Sequence, residues 1–441
     1  MCGIAGAVDL KGRRSVSPAV LRRMADAIVH RGPDDDGYLE MPGVGLANRR
    51  LSIVGLADGK QPIANENQTV WCVFNGEFFD YPEIRAKLEA KGHRFRTSTD
   101  TELIPHLWEE YGENLVDHLK GQFAFCVYDT RKNTIFLARD RFGICPLYWS
   151  VREREGTRFL LFASEIRSLL ASGMVPAEAD LNGINQVFTF FAVPGPMTCF
   201  KNVNLLPPGH CLKVNLGEGD VQERTYWEID FPDQGQEENP PEREAVAEYE
   251  RLFVKSVERR LRADVPVVAY LSGGIDSSVV VAVASKVLGR PIPTFTVAVR
   301  SKGFDESIEA DIVARHVGTK THVADYSHAE VRDTYPDLIE AAEFPVVDTS
   351  AAALLRLARS VRENGYKVAL TGEGSDEFLA GYPWFKIHRA MSAIEVLPGV
   401  RIGNWLRAAG LRLSGSPHFP IRFLREAQDY VGGHNGWLDL Y

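Results

Sequence analysis

The chain is expected to fold as an α+β layered domain followed by a doubly wound α/β domain on a parallel sheet. Three observations predict this. Residues 1–215 are dense in short strand and hairpin signals, with a few helices between them. Residues 216–243 turn polar and rich in turn formers. From Val265 onward, short apolar runs alternate with helical periodicities, the pattern of buried strands joined by helices. A length of 441 residues, 45% hydrophobic and 25% charged, suits two soluble domains, each with a sizeable core.

In the first part, Leu21, Met24, Ala25 and Ile28 follow the i, i+3, i+4, i+7 spacing of a helix. Val70 to Phe74 is an apolar strand, expected to end in a turn at Asn75-Gly76. Pro82 suits the first turn of a helix running through Ile84 and Leu88. Gln122 to Tyr128 and Thr134 to Ala138 flank a polar stretch and predict a hairpin. Residues 216–243, from Gly217-Glu218-Gly219-Asp220 to Pro240-Pro241, are expected to be connection and linker.

The second domain is expected over residues 244–441. Val246, Tyr249, Phe253 and Val257 place one face of a helix. Val267 to Leu271 predicts a buried parallel strand, with a helix from about Ser277 to Val287 after it. Strand Thr294 to Val299, a helix near Ile308 to His316 and a strand near His322 continue the alternation. Helix Ala351 to Glu363 and strand Lys367 to Leu370 close it. Ligands of such sheets sit beyond the carboxyl ends of the strands.

Composition narrows the function. A net charge of −9 argues against a nucleic-acid footprint. The N-terminus lacks a basic segment leading into an apolar stretch, and no apolar run is long enough to span a bilayer. None of the six cysteines forms a CxxC pair, so cysteine-based zinc and thioredoxin-like readings fail. With no secretion signal they are expected to be reduced thiols of a cytoplasmic protein, Cys72 and Cys126 in the core. No internal repeat is evident.

Cys2 offers a first site. Removing Met1 would place a thiol and a free α-amine on one residue, joining nucleophile and base. An amine with a pKa of ~8 beside a thiol near ~8.5 suits proton transfer at neutral pH. Arg49 or Arg50 could clamp a carboxylate, although Arg50 could also be only a solvated arginine. Asn75-Gly76-Glu77 could supply an oxyanion hole, or Asn75-Gly76 could be only a turn. Asp100 offers a carboxylate to an ammonium group, or caps the helix after it. Together these suit an α-amino acid with a side-chain amide, and glutamine fits.

Leu271-Ser272-Gly273-Gly274-Ile275-Asp276-Ser277-Ser278 offers a second site. It follows a buried strand and opens a helix, where backbone N–H groups and the helix N-terminus favour phosphate. The serines add donors and Asp276 can hold Mg2+. The string is neither a Walker A loop nor a dinucleotide fingerprint. Thr371-Gly372-Glu373-Gly374-Ser375-Asp376-Glu377 places further carboxylates after a strand.

These strings carry a family resemblance. Met1-Cys2-Gly3-Ile4, His30-Arg31-Gly32-Pro33-Asp34, Arg50-Leu51-Ser52-Ile53, Asn75-Gly76-Glu77 and Asp100-Thr101-Glu102 occur in order, with Arg139-Asp140-Arg141-Phe142-Gly143 after them. They resemble the class II glutamine amidotransferase domain, an N-terminal-nucleophile fold of stacked antiparallel sheets between helices. The resemblance implies Cys2 as nucleophile, Asn75 and Gly76 as oxyanion hole, and Arg50 on the glutamine carboxylate. It places Glu77 and Asp100 near the glutamine amino group, and the motif alone selects Arg50 over Arg49. Cys145 stands where that family commonly has lysine, and is expected to be a packed thiol.

The second half resembles the ATP-pyrophosphatase domain of glutamine-hydrolysing asparagine synthetases. That resemblance implies ATP and Mg2+ as cofactors and aspartate as the acid, converted through β-aspartyl-AMP to asparagine. Ser272, Gly273, Gly274, Ser277 and Ser278 would hold phosphate, with Leu271, Val297 and Gly372 against the adenosine. Asp276 and Asp376 would hold magnesium pyrophosphate, and Glu373 would lie near the intermediate and the attacking ammonia. An internal route would keep ammonia from becoming ammonium in water. Amidation of another carboxylate, or a glutamine sensor with an inactive second domain, are the alternatives. Relatives are often homodimers. The chain stops at Leu438-Asp439-Leu440-Tyr441, earlier than such synthetases do, so a fragment or a shortened member is expected and no aspartate-binding residue is transferred.

Overall fold

Strand β1 (Gly3–Asp9) is buried along its whole length because both of its faces are covered. After it come α1 (Pro18–Asp26), β2 (Asp35–Met41), β3 (Val44–Arg50), β4 (Ile63–Ala64), β5 (Val70–Phe78), α2 (Tyr81–Ala90) and α3 (Leu103–Tyr111). The chain continues through β6 (Gly121–Asp129), β7 (Thr134–Arg139), β8 (Tyr148–Arg154), β9 (Thr157–Ala163), α4 (Ile166–Ala171) and α5 (Leu181–Phe190). Strands β10 (Asn204–Leu205), β11 (His210–Asn215) and β12 (Val221–Thr225) follow. In this computed structural model the described residues are 1–383 apart from 234 and 300–304, together with 385, 386 and 389. The end of the chain, Leu438 to Tyr441, lies outside them.

The strands form two six-stranded antiparallel sheets, ordered β10-β8-β9-β1-β3-β2 and β12-β11-β7-β6-β5-β4. Strand alternation decides what each face does. Ile4 and Val8 of β1 meet Val73, Cys126 and Leu137 of the other sheet, so the two sheets stack on a shared core. Ala5 and Ala7 point the other way, where their small side chains admit Leu21, Met24 and Ala25 of α1. The second sheet presents Phe74, Phe78 and Phe125 to Leu103, Leu107 and Trp108 of α3. The result is a helix, sheet, sheet, helix layering, the N-terminal-nucleophile arrangement.

Two expectations change here. Strand β5 does not end at Asn75-Gly76 but continues to Phe78, with Asn75 opposite Ala124 and Gly76 opposite Phe123. A Cβ on Gly76 would stand 2.2 Å from the Gln122 carbonyl oxygen, so the glycine permits a close strand approach rather than a turn. Val221–Thr225, within the stretch read as connection, pairs with β11 at the sheet edge.

The α/β part comprises α6 (Glu242–Arg260), β13 (Val267–Tyr270), α7 (Ile275–Leu288), β14 (Thr294–Val299), α8 (Ser307–Val317) and β15 (Thr321–Tyr326). Helices α9 (His328–Ala342) and α10 (Ser350–Glu363) and strand β16 (Val368–Leu370) complete it. The four strands run parallel in the order β15-β14-β13-β16. Val281, Ala284, Ala310 and Ala314 cover one face, and Leu357 and Val361 of α10 cover the other. Strand order reverses at β13, and in open sheets of this kind ligands bind beyond the carboxyl ends of the strands at such a reversal. On α6 only the C-terminal part packs: Val257 is buried, while Val246 and Tyr249 are 59% and 44% exposed.

Residues 1–370 form one compact unit, and Thr371–Tyr441 form another. Within the first, ionic contacts fix the α/β part to the stacked sheets. Arg259 pairs with Asp80 at 2.6 Å and Arg262 with Glu83 at 2.9 Å. Asp264 accepts the Gly55 N–H at 2.7 Å and donates its own N–H to the Ile53 carbonyl at 2.9 Å. Within the second unit, α11 (Ser375–Leu379) follows Gly374, and the Tyr382 hydroxyl donates to Glu377 at 2.6 Å.

Candidate active site

A pocket with about 520 Å3 of space outside protein atoms, partly open to solvent, gathers Cys2, Arg50, Gly76, Glu77 and Asp100. Cys2 stands just ahead of β1. Its Sγ accepts the Leu51 N–H at 3.3 Å and lies 3.6 Å from the Leu51 carbonyl oxygen. The His30-Arg31-Gly32-Pro33-Asp34 string frames it. Arg31 Nε donates to the Cys2 carbonyl at 2.9 Å and Nη1 to Glu165 at 3.0 Å, while His30 also meets Glu165. A Cβ on Gly32 would stand 2.2 Å from the Arg49 carbonyl, so glycine lets this string lie against β3. Asp34 accepts the Ser52 N–H at 2.8 Å and pairs with Lys367 at 2.5 Å.

The structure separates the two arginines. Arg49 turns to Asp26 and to the Ala25 carbonyl, away from the pocket. Arg50 lines the pocket, its Nη2 donating to the carbonyls of Val54 at 3.1 Å and Gly55 at 2.6 Å. A Cβ on Gly59 would lie 2.1 Å from that Nη2 and 2.4 Å from Thr99 Cγ2, so the glycine leaves room for the guanidinium in this position.

Asn75 is fully buried, and neither its amide nitrogen nor its amide oxygen has a hydrogen-bond partner among the described residues. By alternation with Val73 it belongs to the face of β5 turned to the first sheet. An unpaired buried amide is costly, so both polar atoms of Asn75 call for a partner. Its neighbours Phe74, Gly76 and Glu77 line the pocket; Asn75 itself is not on the wall.

Electrostatics single out the two acids. Burial, then the neighbouring Asp100, pushes the Glu77 carboxyl up to about 8. Burial pushes Asp100 up to about 6, moderated by hydrogen bonds from the Phe78 and Thr101 N–H groups. Asp100 Oδ2 accepts the Phe78 N–H at 2.9 Å, so it braces β5 and does not cap α3, whose N-cap is Glu102. Burial raises the Cys2 thiol, with the nearby terminal amine opposing it, and burial lowers that amine.

Thr99 and Gln122 also line the pocket and were not foreseen. Thr99 was legible as the neighbour of Asp100; Gln122 arrives only through its cross-strand pairing with Glu77. Cys145 is fully buried, with its Sγ 3.9 Å from Met1 Sδ.

In the α/β part, Leu271 is buried directly after β13 and the loop after it folds on itself. The Ser272 hydroxyl meets the Ser277 hydroxyl at 3.0 Å and accepts the Gly274 N–H at 3.2 Å. Ser277 and Ser278 hydroxyls both reach the Gly274 carbonyl, which fixes the first turn of α7. Gly273 has φ +86°, and a Cβ there would stand 2.4 Å from Glu309 Cβ, so only glycine fits. Asp276 lies in the first turn of α7, and Val297 lies on β14 next to β13. Gly372, Glu373 and Asp376 belong to the second unit, Asp376 in the first turn of α11.

Two stacked antiparallel sheets between helices, with Cys2 just ahead of β1, have the N-terminal-nucleophile fold. The family described as "Glutamine amidotransferase domain" matches residues 1–227, and the chain belongs to it. The family described as "Asparagine synthase" matches residues 248–423. Among curated relatives, "Asparagine synthetase [glutamine-hydrolyzing] 1" of Bacillus subtilis (strain 168) is 34% identical over 90% of this chain and 61% of its own length. A second from the same organism, "Asparagine synthetase [glutamine-hydrolyzing] 2", is 35% identical over 87% of this chain and 52% of its own. "Amidase chyE" of Penicillium rubens is 33% identical over 88% and 60%. The chain thus spans between about half and two thirds of the length of the relatives it matches.

Proposed function

We propose that this chain carries the glutaminase and acid-activating parts of a glutamine-hydrolysing asparagine synthetase. The observation that carries the reading is the convergence of Cys2, Arg50, Gly76, Glu77 and Asp100 on one pocket from four separate stretches of chain. The proposed division is residues 1–215 for glutamine hydrolysis, 216–243 as a connection that first adds β12 to the sheet edge, and 244–441 for acid activation.

After removal of Met1, the Cys2 amine takes the thiol proton and Sγ attacks the side-chain amide carbon of glutamine. The oxyanion that forms is met by the Asn75 amide and the Gly76 N–H. Transfer of the amine's proton to the leaving nitrogen releases ammonia and leaves a thioester. Water then hydrolyses the thioester to glutamate and restores the thiol. Arg50 holds the glutamine carboxylate, and Glu77 and Asp100 face its ammonium group.

In the second part, the loop from Ser272 to Ser278 suits the phosphates of ATP. It offers hydroxyls, N–H groups at the start of α7, and the Asp276 carboxylate. That donor set also fits Mg2+, which when bound would offset phosphate charge. Val297, Leu271 and Gly372 for the adenosine, Asp376 for magnesium and Glu373 for the intermediate rest on the resemblance alone. Aspartate would displace pyrophosphate from ATP, and ammonia would displace AMP from β-aspartyl-AMP to give asparagine. A homodimer and a cytoplasmic setting belong to the same proposal; the six cysteines, all free, suit a reducing compartment. No helix among the described residues is long and apolar enough to cross a membrane.

The test supplies glutamine, ATP, magnesium and aspartate, and follows glutamate, AMP and asparagine together. Equal amounts of all three are expected. Cys2→Ala should stop glutamate formation and leave ammonia-supported asparagine formation intact. Glutamate without AMP or asparagine would overturn the aspartate assignment. In a second reading another carboxylate is the acceptor; one relative, 33% identical, carries a name other than asparagine synthetase. AMP release with an alternative acid, and none with aspartate, would select it.

A further inference from the structure

Outside the cysteine pocket, four metal-capable side chains converge. Glu66 lies in the turn between β4 and β5, His93 in the connection after α2, and His106 and Glu109 one turn apart on α3. One ligand-type atom from each lies within 4.8 Å of all the others. The Nδ1 atoms of His93 and His106 are 3.1 Å apart. Glu66 Oε2 is 3.4 Å from His106 Nδ1, and Glu109 Oε2 is 3.8 Å from each Nδ1. Ligands at about 2.0–2.2 Å from a tetrahedral zinc ion stand roughly 3.3–3.6 Å apart, and these separations bracket that value.

Polar groups stand behind three of the four side chains. His93 Nε2 meets the Glu110 carboxylate at 3.1 Å, which places its proton there and leaves Nδ1 a lone pair. His106 is fully buried, and its Nε2 faces the buried Glu102 carboxylate at 3.8 Å. Carboxylates behind the second ring nitrogens are the usual outer partners of metal-bound histidines. Glu109 Oε1 accepts from Asn65 at 2.9 Å, which turns Oε2 inward. Glu66 Oε2 is buried with no hydrogen-bond partner among the described residues. Two ring nitrogens and two carboxylate oxygens thus converge on one point, where a metal ion would satisfy all four; a proton shared between the two Nδ1 atoms is the competing arrangement.

We propose that Glu66, His93, His106 and Glu109 form a closed structural site for a divalent transition metal, zinc by its donor set of two nitrogens and two oxygens. Such a closed set leaves no open position for catalysis. Its place in the chain gives it a role. His93 and His106 bracket the segment that carries Thr99, Asp100 and Thr101, so the metal would pin both ends of one wall of the cysteine pocket.

The test uses the full chain, stripped with a chelator and titrated with zinc chloride, with cobalt(II) as a spectroscopic probe. One equivalent of zinc should bind per chain and raise the melting temperature. Cobalt should give the visible bands of a tetrahedral site without thiolate charge-transfer absorption. Glu66→Gln should weaken zinc at least tenfold, and Glu110→Gln, behind His93, by about 10- to 100-fold. Cys2→Ala should bind as the parent does, which separates this site from the reactive thiol. Should Glu66→Gln not fold, the cobalt spectrum of the parent decides. Absence of stoichiometric zinc, an octahedral cobalt spectrum, unchanged affinity in Glu66→Gln, or loss of binding in Cys2→Ala would each overturn the proposal. The cluster would then be held together by a shared proton.

Discussion

Replacing Asn75 by alanine should separate catalysis from folding. The buried amide of Asn75 has no hydrogen-bond partner among the described residues, so the fold loses no bond when it is removed. Leaving a buried polar group unpaired costs about 1–3 kcal/mol, and alanine relieves that cost while losing a little packing. The two effects oppose each other, so the net change in stability should stay within about 1 kcal/mol, or ~2–4 °C in melting temperature. Catalysis should behave differently. If the amide donates to the oxyanion only as it forms, its removal should lower kcat by about 100- to 1000-fold, or ~2.7–4 kcal/mol. KM for glutamine should barely move, because the contact is absent in the ground state. Steady-state glutamate release, paired with a thermal melt, reads both quantities. A kcat within threefold of the parent would refute the oxyanion assignment. A loss of more than ~8 °C would refute the claim that the amide is idle in the resting fold.

Other predictions follow from single contacts. Glu77 and Asp100, raised to about 8 and about 6, are largely protonated in the empty pocket at low pH, so glutamine binding should strengthen from pH 6 to 8 and release protons. Calorimetry in buffers of different ionisation enthalpy checks this, and Glu77→Gln should flatten the profile. The same raised values mean the fold holds extra protons, a stabilisation complete below about pH 4 and lost as pH rises through about 6 and 8; Glu77→Gln should therefore melt higher than the parent at pH 9. Glu343 accepts the N–H groups of Ile166 and Arg167, both at 2.6 Å, and so caps α4 from a distant part of the chain. Glu343→Ala should cost about 2–4 kcal/mol, read by denaturant unfolding, with Glu343→Gln intermediate. Gly273→Ala should abolish ATP-dependent AMP release while leaving glutamate formation, because the added Cβ meets Glu309 at 2.4 Å.

What was legible in the sequence was set by local chemistry. The runs at β6, β7, β13 and β14 carry their own apolar patterns, and the structure keeps their bounds within a residue or two. Asn75-Gly76 went wrong because that dipeptide has two uses. It makes a tight turn, or it lets two strands approach, and the deciding atom is the Gln122 carbonyl on another strand. Helix α9 was missed although Ser327 and Glu330 form a capping box; Pro336 inside the helix breaks the pattern that would have extended it.

The two candidate sites differ in legibility for the same reason. The glutaminase pocket was readable because short strings mark its pieces, each with its chemistry concentrated in two or three neighbouring residues. Even there, spacing could not rank Arg49 against Arg50. That choice is made by strand alternation in β3, which sends one side chain to Asp26 and the other to the Gly55 carbonyl. The four-ligand cluster is the opposite case. Only His106 and Glu109 sit close enough on one helix to suggest a shared target. Glu66 and His93 are delivered by a turn and a connection that have no metal-binding spacing of their own. A site assembled from such scattered single residues becomes visible only when the packing of α3 against the second sheet brings them together.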